Sequence, residues 1–324
     1  MSRCVMLGAA AAVVALAAAG AGSTAAEPAA STIAYIGNGA LHTSSTDGTN
    51  RHLVVGGVAD HTSFSWSPDG QQLAFTGGQG RDEETFVVNA DGSGVKQLTD
   101  APNNRQRTIY DWSDNPVWSP DGKLIAFDGS TDELGGDSQI FLVRSDGTGR
   151  RQLTHTSSGL TLAPAWSPDG SELLFEQDLG KWVPDPKGGP GDLTFAANGR
   201  IDLYTIHPSG GTRRKIARIT NERGLCGCAV WSPDGTKIAY EGGSPNGKPD
   251  IYVMNADGSA QTRLTRSPAR DENPDWSPDG SQIAFYSERP GNAEIYVMNS
   301  DGTHQQRVTH DPWYDGPVRW KPAG

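Results

Sequence analysis

Aromatic rings and carboxylates fall close together at several points in this sequence. Tyr110, Asp111 and Trp112 run together with Asp114 two residues on; Trp313, Tyr314 and Asp315 are consecutive; Asp271 and Glu272 form an acidic pair. A glycine- and proline-rich stretch from about Asp178 to Arg200 carries Lys181, Trp182, Asp185 and Phe195. Rings beside carboxylates can hold a cationic side chain, stack on a sugar, or anchor a protein hot spot. The ligand-binding candidates are therefore Tyr110, Asp111, Trp112, Asp114, Trp182, Asp271, Glu272, Trp313, Tyr314 and Asp315. Asp114, Glu272 and Asp315 are also the oxygen donors that a calcium ion would draw on, given that calcium takes roughly six to eight oxygens. No other cofactor is expected. His61, His155 and His310 could meet at a metal, but His155 and His310 both close a Leu/Val-Thr-His tract, so inheritance explains two of them. The sequence contains no Gly-x-Ser-x-Gly elbow, no His-Glu-x-x-His and no phosphate-binding glycine loop, so no catalytic residue is assigned.

What positions these residues is a repeat. The tract Trp-Ser-Pro-Asp-Gly starts at Trp66, Trp118, Trp166, Trp231 and Trp276, and a worn copy, Trp320-Lys321-Pro322-Ala323-Gly324, closes the chain. Copies of one supersecondary unit at this spacing stack into a repeat architecture. Each unit reads as four short strands, A to D, because its apolar runs are β-branched or aromatic and bounded by turn residues. In the sixth unit these are the approach to Trp276, Gln282–Phe285, Glu294–Asn299 and Gln306–Thr309. The proline, aspartate and glycine of the first turn suit its successive backbone positions, with glycine in the left-handed one. A second turn recurs at Asp47, Asp91, Asp146, Asp257 and Asp301, each followed by glycine, and in weaker form at Ser209-Gly210-Gly211. The first unit has strands B, C and D but no preceding tryptophan tract, and the chain end supplies Val318-Arg319-Trp320 with nothing after it. These pieces are complementary. The expected fold is all-β: a six-bladed β-propeller of four-stranded antiparallel blades, the first closed by the C-terminal strand, which leaves no free sheet edge at the seam.

The same parity separates two faces. A–B and C–D turns lie on one side of the disc, B–C and D–A loops on the other. Every tryptophan stands nine residues before the aromatic residue that ends strand B: Phe75, Phe127, Phe175, Tyr240 and Phe285. Length varies only on the opposite side. The stretch from Asp91 to Trp118 is eight residues longer than that from Asp301 to Trp320, and that from Phe175 to Gly210 is nineteen longer than that from Phe285 to Asp301. A constant scaffold carrying variable loops is the usual layout of a binding surface, so the B–C/D–A face is the expected working face.

The bulk numbers limit the partners. With 38 acidic and 27 basic residues the formal charge is −11, which argues against nucleic acid or an anionic membrane surface. Residues 1–26 have the pattern of a cleaved signal peptide: Arg3, an apolar run from Val5 to Ala19, and Thr24-Ala25-Ala26. The mature chain, 27–324, is expected to be one propeller domain, secreted or periplasmic, without a lipid anchor or membrane insertion. Cys4 leaves with the leader, and Cys226 and Cys228 remain either as a small disulfide ring or as two thiols.

The tracts Trp276–Phe285, Ile295–Gly302 and Arg307–Thr309, with Trp231–Tyr240, Ile251–Gly258 and Arg263–Thr265, resemble the WD40-like repeats of TolB propellers. The resemblance covers roughly residues 31–324 and agrees in blade number. It implies an exported protein that binds other proteins of the cell envelope. TolB itself carries an N-terminal α/β domain and engages a peptidoglycan-associated lipoprotein through its propeller; this sequence has no counterpart of that domain and reads as a stand-alone propeller. Similar propellers precede the hydrolase domain of prolyl-oligopeptidase-type peptidases, and no hydrolase sequence follows here. The leading expectation is a non-catalytic propeller that recognises an envelope or extracellular protein, peptide or glycan. The alternative is an enzyme in the channel mouth: a metal-assisted lyase, a lactonase or a glycan hydrolase.

Overall fold

The computed structural model describes residues 31–59, 62–78, 83–99, 113–130, 138–157, 159–184, 193–196, 200–220, 228–243, 247–289, 291–310 and 312–323. Its first three strands are β1 (Thr32–Gly37), β2 (Ala40–Ser45) and β3 (His52–Gly56). The second blade is β4 (Phe64–Trp66), β5 (Gln72–Gly77), β6 (Glu84–Asn89) and β7 (Lys96–Gln97). The third is β8 (Ser113–Trp118), β9 (Leu124–Gly129), β10 (Gln139–Arg144) and β11 (Arg151–Gln152). The fourth has β12 (Leu160–Trp166) and β13 (Leu173–Asp178), an inserted hairpin of β14 (Lys181–Pro184) and β15 (Leu193–Ala196), then β16 (Arg200–Ile206) and β17 (Arg214–Thr220). The fifth is β18 (Val230–Trp231), β19 (Lys237–Gly243), β20 (Pro249–Asn255) and β21 (Thr262–Arg263). The sixth is β22 (Asp271–Trp276), β23 (Gln282–Ser287), β24 (Glu294–Asn299) and β25 (Gln306–Arg307), and β26 (Asp315–Trp320) follows it.

These strands form six four-stranded antiparallel sheets, one of them ordered β26-β1-β2-β3, and a separate two-stranded sheet of β14 and β15. The C-terminal strand therefore completes the first blade, with Trp320 opposite Ile33 and Val318 opposite Tyr35. Successive first strands touch one another around the axis, β26 with β4, β4 with β8, β8 with β12, β12 with β18, β18 with β22 and β22 with β26, so the ring is closed.

The core is divided into six inter-blade layers. One joins Ile33, Tyr35, Val318 and Trp320 of the first blade to Ile295, Val297 and Val308 of the sixth; another joins Ala239 and Ile251 of the fifth to Trp276, Ile283 and Phe285 of the sixth. The Ile-Ala-Phe pattern of strand B explains the fit. In β23 Ile283 and Phe285 point back to the fifth blade, while the small Ala284 faces β26 and lets the next blade approach. Each blade also stacks one cross-strand aromatic pair, such as Phe127 on Phe141 and Phe285 on Tyr296.

The turn residues have the roles expected of them, plus one more. In the first turn Asp69 accepts from the Ser67 hydroxyl and the Gln71 N–H, and Gly70 adopts φ +63°. The same pattern recurs at Asp121, Asp169, Asp234 and Asp279. In the second turn the glycine also meets the neighbouring blade: a Cβ on Gly258 would stand 2.3 Å from the Ile216 carbonyl oxygen, and one on Gly48 would stand 2.8 Å from that of Val308, across the seam. Gly258→Ala combines a φ of +87° with that clash and is expected to destabilise by about 1–3 kcal/mol. Gly291→Ala, at φ +102° with open space around it, carries the conformational cost alone. Urea midpoints of the two variants check the difference; equal losses would mean that the close approach of the blades is not what requires glycine.

Candidate functional site at the channel mouth

The innermost strands bend where they reach the B–C/D–A face. Register shifts lie between Asp114 and Val117, Leu162 and Ala165, and Glu272 and Asp275. Asn115, Ala163 and Asn273 sit there at φ of 51°, 51° and 54°, and Cys228 occupies the matching place in the fifth blade at 42°. These are β-bulges, which turn a backbone N–H out of the ladder and leave it needing an acceptor.

The acceptor comes from the blade before. Asp128, at the end of β9, receives the Ala163 N–H at 3.0 Å; Glu176 on β13 receives that of Ala229 at 3.0 Å; Glu241 on β19 receives that of Asn273 at 2.7 Å. Asp114 accepts from the Thr76 hydroxyl and the Asn115 N–H, both at 2.7 Å. The result is an arc of carboxyl groups from consecutive blades on the inner wall. Asp128, Glu176 and Glu241 are buried, and Asp114 is partly exposed. Burial pushes the carboxyls of Asp114, Asp128 and Glu241 above the usual range, and like charge adds to it: Asp114 acts on Asp128, and Glu272 on Glu241.

The arc ends in a polar cluster between the sixth and first blades. Glu272 takes a short hydrogen bond from the Tyr286 hydroxyl and an ion pair from Arg270 at 2.6 Å, and Arg270 lies 3.7 Å from Glu288. Burial raises the carboxyl of Glu272 and the phenol of Tyr286. The Tyr286 ring meets that of Tyr314 at 6.1 Å and 59°. Trp313 and Tyr314 are 55% and 41% exposed; Leu53 is the only other large apolar side chain so exposed among the described residues. Asn292 donates to the Trp313 carbonyl at 3.0 Å and steadies that loop against the sixth blade.

Of the residues singled out in the sequence, Glu272 and Tyr314 thus meet around Tyr286 with Trp313 next in the chain, while Asp114 stands apart at the matching bulge of the third blade. Asp271 and Asp315 are fully buried and do not join the exposed set: Asp271 pairs with Arg289 at 2.7 Å, and the Asp315 carboxylate lies over Gly37. Trp182 is on β14 opposite Phe195 of β15, in the inserted hairpin. Tyr110, Asp111, Trp112, Asp185, His61 and Cys226 lie outside the described residues, as does the expected signal peptide; Cys228 is disulfide-bonded. His155 and His310 are exposed, and no three His, Cys, Asp or Glu among the described residues group as ligands of one metal ion. That grouping includes the proposed calcium set of Asp114, Glu272 and Asp315. Asp128, Glu176 and Glu241 escaped the sequence reading, yet a signal was present: each immediately follows the aromatic residue that ends strand B, ten residues after its tryptophan.

A closed ring of six tryptophan-bearing four-stranded blades defines a class, the six-bladed β-propeller, and comparison gives the family. The sequence matches the TolB beta propeller domain over residues 40–181 and 194–324. The chain belongs to the TolB β-propeller family. It is 36% identical over 128 residues to the Tol-Pal system protein TolB of Anaeromyxobacter dehalogenans strain 2CP-C, covering 40% of this chain and 24% of that protein. It is 29% identical over 269 residues to dipeptidyl-peptidase 5 of Porphyromonas endodontalis, covering 70% of this chain and 37% of that one. The chain thus spans well under half the length of these relatives. Its fold superimposes on crystalline TolB from Acinetobacter baumannii with a TM-score of 0.69 at 18% identity, covering 90% of this chain and 67% of that one.

Proposed function

We propose that this protein is an exported, non-catalytic binding propeller of the cell envelope or extracellular space, and that it captures a protein or peptide on its B–C/D–A face. The observation that carries the reading is the exposure of Trp313 and Tyr314 beside the buried Glu272–Tyr286–Arg270 network. Aromatic side chains set against a fixed polar base are the make-up of an interface hot spot. Membership of a family that includes a Tol-Pal system protein supports a partner in the envelope, and the leader-like residues 1–26 support export. Trp313→Ala with Tyr314→Ala is expected to weaken capture of envelope proteins at least tenfold, about 1.4 kcal/mol. The melting temperature should stay within about a degree, because exposed side chains contribute little to folding. Quantitative pull-down from envelope extract, with a thermal melt of the same protein, checks both. Unchanged capture would refute the assignment of this face.

One observation favours a second reading, a glycan hydrolase or lyase in the mouth. Glu241 and Glu272 are neighbouring glutamates whose carboxyls burial raises, the direction in which a general acid is tuned. Release of reducing sugar from envelope polysaccharide, abolished by Glu272→Gln, would favour that reading over pure binding.

A further inference from the structure

We propose that the outer edge of β17, the outermost strand of the fourth blade, takes an extended segment of a partner protein as an added strand, and that this segment alternates acidic with β-branched residues. The surface lies on the rim of the disc, and the inference goes beyond the binding face assigned above without resting on it.

One blade departs from the repeat. The outermost strands β7, β11, β21 and β25 are two residues long and β3 is five, whereas β17 runs for seven. The cause is a single position. In four blades a threonine hydroxyl accepts an N–H of the neighbouring strand: that of Thr85 goes to Thr99, Ile140 to Thr154, Ile251 to Thr265 and Ile295 to Thr309, at 2.8–3.0 Å. A side chain that takes this bond lets the backbone leave the ladder. In the fourth blade the Ile216 carbonyl meets Gly258 as the Leu264 carbonyl meets Gly302, so Ala217 stands where Thr265 does in the fifth. Alanine offers no hydroxyl, and the backbone stays paired: Ala217, Arg218, Ile219 and Thr220 lie opposite Leu203, Asp202, Ile201 and Arg200. The sheet is ordered β12-β13-β16-β17, and among the described residues no strand lies beyond β17. Its far edge presents a row of backbone donors and acceptors, the template that strand addition uses.

The side chains select the strand that fits. Ala217 and Ile219 turn into the layer between the fourth and fifth blades, beside Ile238 and Met254, while Arg218 and Thr220 are exposed. An added strand sets alternate residues over each of these two faces: β-branched ones beside Ala217 and Ile219, polar ones beside Arg218. The edge also selects their charge. Arg213, Arg214, Lys215 and Arg218 are four exposed cations within six residues, in a chain whose formal charge is −11. Among the described residues they meet two carboxylates. Glu172 lies 3.2 Å from Arg214, and Asp202 lies 2.7 Å from Lys215 and 2.6 Å from Arg218, while Arg213 donates to the amide oxygen of Gln177. The strip keeps a positive excess, and opposite charges across a strand pair are favourable. The same cations keep two copies of this chain from pairing edge to edge, because cation would then face cation. The occupant is an acidic strand of another protein.

Fluorescence anisotropy of the full-length protein with a fluorescein-labelled Val-Glu-Val-Glu-Val-Glu-Val amide tests the proposal. Two control peptides accompany it: one with every residue N-methylated, which keeps the side chains and removes the N–H row, and one with lysine in place of glutamate. The edge variant carries Arg214→Gln and Arg218→Gln, which leaves Lys215 on Asp202 and should melt as the parent does. The expected result is saturable one-to-one binding of the glutamate peptide, none of either control peptide, and affinity at least tenfold lower in the edge variant. Lys96→Gln with Lys123→Gln, exposed cations of other blades, should leave it unchanged. Failure of the glutamate peptide to bind would overturn the proposal. Equal binding of the N-methylated peptide would overturn it by reducing the effect to charge attraction, and equal loss in the Lys96/Lys123 variant would do the same. A dimer in sedimentation equilibrium that the edge variant dissociates would overturn it in favour of a second copy of this chain. Each of these outcomes leaves the Trp313 and Tyr314 face untouched, since capture there is read by a different variant.

Discussion

Truncation after Tyr314 is expected to abolish cooperative folding of the first blade and to lower the stability of the whole ring. The lost strand, β26, pairs with β1 and inserts Val318 and Trp320, 0% and 5% exposed, between the first and sixth blades. It also ties the seam together elsewhere. The Trp320 N–H donates to Asp275 at 2.7 Å, the Asp315 N–H donates to the Ala293 carbonyl at 2.9 Å, and the Lys321 side chain stacks over Gly70 and the Trp66 ring. Loss of one buried tryptophan alone costs about 3–5 kcal/mol, against a total of about 5–15 kcal/mol for an ordinary domain. Without β26 the edge of β1 is bare, and such edges recruit other chains. The truncated protein should unfold at a far lower urea concentration, and gel filtration should show aggregates. The single substitution Trp320→Ala should give an intermediate loss of about 3–5 kcal/mol. A truncated chain that melts like the parent would show that the ring does not depend on its terminal strand.

Stability should peak in mildly acidic solution. Burial raises the inner-wall carboxyls, including Asp114, Asp128, Glu241 and Glu272, and raises that of Asp275 to about 6 despite the opposing charge of Arg319. For a carboxyl whose folded pKa lies above its unfolded value, the folded state binds the extra proton. Its stabilisation is complete below the unfolded pKa near 4 and is lost as pH rises through the folded value. Asp275 alone should therefore lose on the order of 3 kcal/mol between pH 4 and pH 7. The turn aspartates behave oppositely. Hydrogen bonds from Ser119 and Lys123 hold Asp121 at about 2, and those from Ser167 and Ser171 hold Asp169 at about 2, so their contribution is present above pH 4 and lost as pH falls toward 2. The two groups together place the maximum between about pH 4 and pH 6. Melting temperature should rise by roughly 5 °C from pH 7.5 to pH 5 and fall again below pH 4. Asp275→Asn retains an acceptor for the Trp320 N–H and should flatten the limb between pH 5 and pH 7. A profile that climbs steadily up to pH 7.5 would contradict this account of the buried acids.

The fold could be read almost whole from the sequence, and the site only in part, for reasons that lie in particular residues. Turn chemistry is local: proline, aspartate and glycine act within a few residues, so five copies of one tract disclose the blades. The complementary remnants at the two ends disclosed that the terminal strand closes the first blade, though not the register that sets Trp320 opposite Ile33. The channel wall was harder because the innermost strands are bulged. Alternation counted back from Trp276 fails at the shift between Glu272 and Asp275, which is why Asp271, set beside Glu272 in the chain, ends up buried against Arg289 instead of at the rim. Asp315 is misread for the same kind of reason, since adjacency to Trp313 and Tyr314 says nothing about which side of β26 it occupies. Burial over Gly37 depends on a partner strand 278 residues away in the chain. The wall acids Asp128, Glu176 and Glu241 were visible only as a column across the aligned repeats, because within any one blade an acid at the end of a strand looks like an ordinary solvated residue.

Site-specific photocrosslinking tests the central claim most directly. A benzophenone amino acid replaces Trp313 at the mouth in one full-length protein and Thr303 on the turn face in another, and both are irradiated in native envelope extract. The expected result is a discrete crosslinked partner from position 313 and none from position 303. A partner captured through position 303 while position 313 stays silent would contradict it.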